Sequence, residues 1–225
     1  MLLIFDLDDT LIDTTNSIIP VKLKIALDCI IQAGCPVIDY EKILKKLLFI
    51  NRQSGSSKEA LENFFKNRPQ SEKSKYFSLA CASVYSDLPA GLPVKPQKDA
   101  IKILNELAFS HTLAVVSHGE EKQQLAKLEK AGIDCRLFSI IVVTASEDKG
   151  PFYKQIFDQF KFEPRQVIVC GDRVARDLLP ANKLGFFTVH MRQGRGKNMP
   201  SSPEVDYSIT KLAEIKKIIQ KVAHE

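Results

Sequence analysis

The sequence predicts an α/β protein with a doubly wound parallel sheet and a small all-helical insertion after strand 1. Beyond residue 95, short apolar runs alternate with amphipathic stretches of helical length, the pattern of a parallel sheet covered by helices. Residues 2–5 (LLIF) form another apolar run, which ends in acidic residues and is typical of a buried parallel strand. Residues 14–86 show helical periodicity without a strand pattern. We therefore expect a helical segment between the first strand and the rest of the sheet.

The insertion contains four stretches with helical periodicity. Proline and glycine begin and end the first of them, Asp39 can cap the second, and residues 54–57 (SGSS) break the pattern after it. The expected helices run from Pro20 to Gly34, from Asp39 to about Ile50, up to about Lys66, and from Glu72 to Tyr85. We expect residues 14–94 to form a helical domain, and residues 1–13 and 95–225 to form the core domain.

The second part of the chain supplies the remaining strands. They are expected at residues 112–116, 139–143, 166–170 and 186–190, with a short strand near Tyr207. The helices between and after them are expected at residues 97–108, 120–131, 151–160, 174–184 and 211–222. Ligands of such sheets bind beyond the carboxyl ends of the strands. The residues that follow each strand are therefore the candidate site residues.

Charged and polar side chains stand at these strand ends. They are Asp6, Asp8 and Thr10 after the first strand, Ser117 and His118 after the second, Lys149 after the third, and Gly171, Asp172 and Asp177 after the fourth. Surface loops collect polar residues in any protein, but that tendency does not explain charges placed directly after such apolar strands. The sequence thus predicts that acids, a hydroxyl and an ammonium converge on one edge of the sheet.

Four short motifs around these residues resemble, in order and spacing, those of the haloacid dehalogenase (HAD) superfamily. They are residues 4–11 (IFDLDDTL), residues 113–119 (LAVVSHG), the lysine within residues 148–153 (DKGPFY), and residues 167–177 (VIVCGDRVARD). The third departs from the Lys-Pro of many members by one inserted glycine. The resemblance implies a Rossmann-like core with a C1-type helical cap and a Mg²⁺-dependent phosphatase. It covers nearly the whole chain outside the helical segment.

The chemistry can be built from the residues themselves. A phosphate monoester is a dianion, so a hard cation held by Asp6 and Asp172 would reduce its repulsion of a carboxylate nucleophile. Attack by Asp6 would give an aspartyl-phosphate. Asp8 can protonate the leaving oxygen and later deprotonate the attacking water. Ser117 and Lys149 can donate hydrogen bonds to the phosphoryl oxygens.

Further roles follow from the resemblance alone. In the family, the backbone carbonyl at the position of Asp8 ligates Mg²⁺, and the second acid of the last motif, here Asp177, supports the metal site. The expected metal set is therefore Asp6, Asp8, Asp172 and Asp177. His118 follows Ser117 and is interpreted either as a substrate contact or as a surface histidine. Asp9 is expected to be a solvent or turn residue, and residues 192–197 (RQGRGK) are expected to form an exposed linker.

Composition and charge limit the kinds of ligand and partner that we expect for this protein. The 225 residues carry a net charge of +5, and residues 14–98 hold 13 Lys and Arg against 7 Asp and Glu. This excess is too diffuse, and too poor in interleaved aromatics, for nucleic acid, but it would attract anionic small molecules. The five cysteines lack zinc-site spacing. No apolar run is long enough to span a bilayer and no basic leader is present, so we expect a cytoplasmic protein without a membrane partner.

Alternatives remain at this stage. A phosphomutase would keep both aspartates and transfer the phosphoryl group within a sugar. A dehalogenase is disfavoured by Asp8, because a halide needs no proton to leave. A catalytically degenerate binding domain would be indicated by a broken motif, and none is broken. The motifs do not choose among nucleotides, sugar phosphates and phosphoglycolate-like substrates, nor do they define the oligomeric state.

Overall fold

Six parallel strands form the central sheet in the computed structural model, which describes residues 1–223. The strands are β1 (Leu2–Phe5), β2 (Thr112–His118), β3 (Ile140–Thr144), β4 (Val167–Gly171), β5 (Phe187–Met191) and β6 (Tyr207–Ile209). Their order is β3-β2-β1-β4-β5-β6, and every neighbouring pair is parallel. The predicted doubly wound α/β fold is confirmed. β2 continues two residues beyond its predicted end, so Ser117 and His118 lie within the strand rather than after it.

The α-helices connect these strands and fill the predicted insertion. They are α1 (Thr14–Ser17), α2 (Ile19–Gln32), α3 (Tyr40–Gln53), α4 (Ser57–Phe65), α5 (Gln70–Val84), α6 (Ala100–Ala108), α7 (Glu121–Lys130), α8 (Gly150–Phe160), α9 (Leu179–Lys183) and α10 (Ile215–Val222). As expected, Asp39 caps α3, its carboxylate accepting from the Lys42 N–H at 3.0 Å. None of the helices within residues 1–223 is long and apolar enough to cross a bilayer.

The predicted helix at residues 174–184 is divided in two. A π-helical turn covers Val174–Leu178, and α9 begins directly after it with Pro180 in its first turn. Proline suits this position because it has no N–H to donate to the preceding turn. Single π-helical turns are frequent at functional sites. This one carries Asp177, one of the predicted site residues.

The chain divides into two compact units. One contains Met1–Thr14 and the chain from Pro93 onward, and the other is Thr15–Leu92. In the first unit, apolar residues of the strands pack with Tyr153 and Ile156 of α8. The chain segments that flank the helical unit pair within this first unit, since the Asp13 N–H donates to the Lys95 carbonyl at 2.9 Å.

The second unit is all-helical and has its own apolar core. That core contains Leu23, Ala26, Leu27, Ile30, Cys35, Leu47, Leu61, Phe65, Tyr76, Ala80 and Val84. Lys22 of α2 is buried and donates to the carbonyls of Ser86 at 2.6 Å and Asp87 at 2.7 Å. This ammonium ties the start of α2 to the segment after α5, because both carbonyls lie beyond the end of α5.

The strand order reverses between β1 and β4. From β1 the chain proceeds to β2 and β3 on one side, whereas β4 pairs with the other edge of β1 and leads to β5 and β6. In a doubly wound sheet the ligand crevice lies at such a switch point, outside the carboxyl ends of the strands. Asp6 follows β1 and Asp172 follows β4. The fold therefore places these two carboxylates at the expected crevice.

Candidate active site

Asp6 is fixed by its backbone and by Lys149. The Asp6 N–H donates to the Cys170 carbonyl at 2.9 Å, which extends the pairing of β1 and β4 by one residue. Lys149 precedes the first turn of α8 and is buried. Its Nζ lies 2.6 Å from Asp6 Oδ1 and 2.6 Å from Asp177 Oδ1. One ammonium thus holds two carboxylates that come from distant parts of the chain.

Asp6, Asp172 and Asp177 form a buried acidic cluster in which one carboxylate oxygen from each residue lies within 4.8 Å of the other two. Burial, opposed by the Lys149 ammonium and reinforced by the Asp177 carboxylate, raises the pKa of Asp6 to about 7. Burial and then the carboxylates of Asp6 and Asp177 raise the pKa of Asp172 well above its usual value. Buried carboxylates that repel one another at this spacing provide the oxygen ligands that a hard divalent cation such as Mg²⁺ prefers.

Gly171 is required by the position of Asp177. A Cβ atom at residue 171 would lie 2.5 Å from both Cβ and Oδ2 of Asp177. The Arg173 N–H donates to the same Oδ2 at 3.0 Å and orients the carboxylate toward the cluster. The glycine of the fourth motif therefore lets the Asp177 side chain pack directly on the end of β4.

Asp8 is held by a different set of donors. Lys127 Nζ lies 2.8 Å from each carboxylate oxygen, Thr14 Oγ1 lies 2.5 Å from Oδ1, and Gln124 Nε2 lies 3.0 Å from Oδ2. Burial alone would raise the pKa of Asp8, but the Lys127 ammonium and the hydrogen bonds from Lys127, Thr14 and Gln124 lower it to about 2. Asp8 is therefore an ionised, well-oriented carboxylate beside the acidic cluster.

Ser117 and His118 are the last two residues of β2, and they differ in their exposure to solvent. Ser117 is buried, and its Oγ lies 2.6 Å from Gln124 Nε2. The His118 side chain is exposed, and it is the His118 carbonyl that accepts from Gln124 Nε2, at 3.0 Å. The structure thus brings together at one edge of the sheet Ser117, Asp8, Asp6, Lys149, Asp172 and Asp177. His118 ends the same strand but is exposed.

Sequence reasoning missed Gln124 and Lys127 of α7. They stand three residues apart on the same helical face as the buried Leu128, and both reach the site. Polar side chains in phase with the apolar residues of an amphipathic helix were the available signal, because that face must be turned inward. Buried polar groups need partners, and here the partners are Asp8 and Ser117.

The turn expected at Asp9 is present, but the exposed linker expected at residues 192–197 is not. Asp9 is a turn residue with φ 60°, but it is 4% exposed rather than in solvent. Gly194–Asn198 is a 3₁₀-helix, and a Cβ on the buried Gly196 would lie 2.2 Å from the Asp172 carbonyl. A Cβ on Gly194 would lie 2.1 Å from Asp9 Cγ. This segment packs against the site because its glycines allow close backbone approach.

Comparison with protein families gives a match to the model described as haloacid dehalogenase-like hydrolase, over residues 3–191. Glyceraldehyde 3-phosphate phosphatase of Methanocaldococcus jannaschii is 28% identical, over 97% of this chain and 96% of its own. The Pyrococcus furiosus protein of the same name is 23% identical, over 96% of this chain and 92% of its own. These relatives match the sequence across both structural units.

Solved structures show the same fold. The HAD hydrolase YfnB from Bacillus subtilis, solved bound to magnesium, superposes with a TM-score of 0.68 at 18% identity and covers 97% of each chain. Similarity at this level of identity concerns the fold. It agrees with the strand order and the helical unit described above.

Proposed function

The chain belongs to the haloacid dehalogenase-like hydrolase family, and we propose that it is a Mg²⁺-dependent phosphatase that hydrolyses a small phosphorylated metabolite through a phosphorylated Asp6. The observation that carries this proposal is the buried cluster of three carboxylates at the switch point of the sheet, two of which pair with the Lys149 ammonium. The relatives named as phosphatases support the classification as a phosphoric monoester hydrolase.

Asp6 is the proposed nucleophile. Asp6, Asp172 and Asp177, with the backbone carbonyl of Asp8, would hold the cation, which when bound supplies positive charge that offsets the repulsion between carboxylates and phosphate. Lys149 keeps the Asp6 carboxylate in place. A carboxylate oxygen of Asp6 forms the new bond to phosphorus while the bond from phosphorus to the substrate oxygen breaks, which leaves an acyl phosphate on Asp6.

Asp8 is the proposed acid and base. Its carboxylate is ionised in the structure, so it must take up a proton before the first step. It then gives that proton to the departing substrate oxygen, and it regains one from the water that attacks the phosphorylated Asp6. The second step releases inorganic phosphate and restores the Asp6 carboxylate. Thr14 and Lys127 contact the Asp8 carboxylate directly and fix its orientation for both transfers.

Ser117 and Lys149 are the proposed ligands of the phosphoryl oxygens. Both side chains are buried at the same sheet edge as Asp6. A hydroxyl and an ammonium placed there would stabilise negative charge on those oxygens as the bond to Asp6 forms. These groups recognise the phosphoryl group only, so they cannot distinguish one leaving group from another.

The substrate is best sought among small sugar phosphates, nucleotides and phosphoglycolate-like compounds. Glyceraldehyde 3-phosphate leads the candidates because the curated relatives carry that substrate in their names. In a screen of phosphorylated metabolites with Mg²⁺, we expect at least one to be hydrolysed with a kcat/KM of about 10⁴ M⁻¹s⁻¹ or more. Absence of phosphate release from every compound, and from a generic aryl phosphate, would overturn the proposed function.

The helical unit, residues 15–92, is the proposed source of substrate choice. It has its own core, and its sequence carries most of the excess positive charge. Replacing residues 16–88 by a short Gly/Ser linker should preserve the strand signal in circular dichroism. Hydrolysis of an aryl phosphate should persist, whereas the kcat/KM values for different metabolites should differ by no more than about threefold. An unchanged ranking in a folded variant would show that selection lies elsewhere.

A further inference from the structure

We propose that Gln124 is a positioning residue that turns the hydroxyl proton of Ser117 toward the phosphoryl group and joins Ser117 mechanically to Asp8. This inference rests on the proposed function. It assigns a role to a helix that the four sequence motifs leave out, since Gln124 lies in α7 (Glu121–Lys130).

The orientation of the Gln124 amide is determined by its surroundings. The side chain is 2% exposed, and Nε2 lies 3.0 Å from the His118 carbonyl and 3.0 Å from Asp8 Oδ2. A backbone carbonyl can only accept, and the Asp8 carboxylate accepts here as the partner of Lys127. If the amide were flipped, its oxygen would face the His118 carbonyl and the Asp8 carboxylate, and none of the three oxygens could donate a hydrogen bond. The amide nitrogen must therefore face these two acceptors.

The third neighbour of that nitrogen is the Ser117 hydroxyl. Gln124 Nε2 lies 2.6 Å from Ser117 Oγ, and an amide nitrogen has no acceptor capacity. Ser117 Oγ is consequently the acceptor, and its own proton must point away from Gln124. A phosphoryl group offers only acceptor oxygens, so a serine whose lone pair is already engaged is prepared to donate.

The Gln124 amide also links the Ser117 hydroxyl to Asp8, the proposed acid and base. Asp8 is held on both oxygens by Lys127, which stands one helical turn from Gln124 on α7. Rotation of the Gln124 side chain would release Ser117 and remove a donor from Asp8 together. Gln124 thus acts through Ser117 and Asp8, the two residues that would handle the phosphoryl group and the proton.

The test uses Gln124→Met, which keeps the length of the side chain and removes the donor. With the Mg²⁺-loaded enzyme and an aryl phosphate, the competitive inhibition constant of inorganic phosphate should rise about 10-fold, the size expected for a lost hydrogen bond to an anion. Gln123→Met is the matched control, since Gln123 lies next to Gln124 and donates to Glu120 instead. It should leave the constant within about twofold.

A double-mutant cycle separates positioning from packing. In a Ser117→Ala background, Gln124→Met should not weaken phosphate binding further, because the hydroxyl that it orients is gone. Gln124→Met should also lower kcat, because it removes a donor from Asp8, and this loss should persist in the Ser117→Ala background. If the rise in the inhibition constant recurs undiminished without the Ser117 hydroxyl, Gln124 is only a packing residue and the inference is wrong.

A second variant, Gln124→Glu, keeps the inference testable if Gln124→Met does not fold. Gln124→Glu has the same shape but presents an acceptor to Ser117, so it should weaken phosphate binding more than Gln124→Met does. Phosphate binding unaffected in either folded variant would also overturn the inference. Failure of the proposed function looks different, because the wild-type enzyme itself would then release no phosphate from the aryl ester.

Discussion

Replacing Asp6 by asparagine is expected to reduce phosphate release by about 10⁴-fold or more and to abolish the phosphoenzyme. An amide is a poor nucleophile, so the displacement at phosphorus proposed for the Asp6 carboxylate cannot phosphorylate the asparagine. The structure adds a reason why no neighbour can substitute. Asp177 and Asp172 lie in the same cluster, but both carboxylate oxygens of Asp177 are engaged, one by Lys149 and the other by the Arg173 N–H, and Asp172 follows another strand.

The measurement is rapid quenching during turnover of an aryl phosphate, followed by mass spectrometry of the intact protein. Wild type should show a fraction carrying one phosphoryl group, and Asp6→Asn should show none. Asp158→Asn is the matched control, because Asp158 is an exposed aspartate of α8 paired with Lys154, and it should retain full activity. Activity of a folded Asp6→Asn variant within tenfold of wild type would refute the covalent mechanism.

The sheet and its acidic edge were predictable because both depend on local signals. Four-to-six-residue apolar runs mark buried parallel strands, and parallel strands direct their carboxyl ends to one edge. That rule alone places Asp6, Asp172 and Ser117 near one another, as the structure shows. Their family motifs were equally visible, and the expected family is confirmed.

The partners of Asp8 and the packing of Gly196 on the Asp172 carbonyl depend on tertiary contacts. Local sequence signals therefore did not predict them. Gln124 and Lys127 lie in phase with Leu128, which indicates an inward face, but their partners cannot be named until β2 and α7 are placed. Gly196 meets the Asp172 carbonyl only because β4 and β5 are neighbours. The π-helical turn at Val174–Leu178 has the composition of a regular helix. Burial of polar atoms, rather than sequence pattern, identifies these positions.

Removal of divalent cations is the second change with a very large expected effect. In excess chelator, phosphate release should fall to background, and Mg²⁺ should restore it. Ca²⁺ should do so poorly, because its coordination is larger and less regular. The reason lies in the charge of the site: three buried carboxylates cluster there, Lys149 pairs with two of them, Asp6 and Asp177, and the substrate adds a dianion. Full turnover in chelator would contradict both the cation requirement and the role given to Asp172.

The same carboxylates predict how stability depends on metal and pH. The pKa of Asp6 is raised to about 7 and that of Asp172 is raised well above its usual value, whereas both return to about 4 on unfolding. Without a cation, the folded state therefore keeps protons that the unfolded chain has lost. The free energy of unfolding should then fall as the pH rises from about 4 through 7. Mg²⁺ replaces those protons, so its stabilising effect should be greatest above pH 7 and shrink on acidification.

Asp172→Asn distinguishes the loss of metal binding from a general loss of structure. The variant should be more stable than wild type without metal, but it should be stabilised less by Mg²⁺. Without metal, the variant should melt at a higher temperature than wild type near neutral pH, since a buried, repelled carboxylate is gone. Saturating Mg²⁺ should raise the melting temperature of wild type by about 5 to 10 °C, and that of the variant by far less. Asp158→Asn should respond to Mg²⁺ as wild type does, because its carboxylate is exposed and outside the acidic cluster. An equal Mg²⁺ response in wild type and Asp172→Asn would remove Asp172 from the proposed metal site.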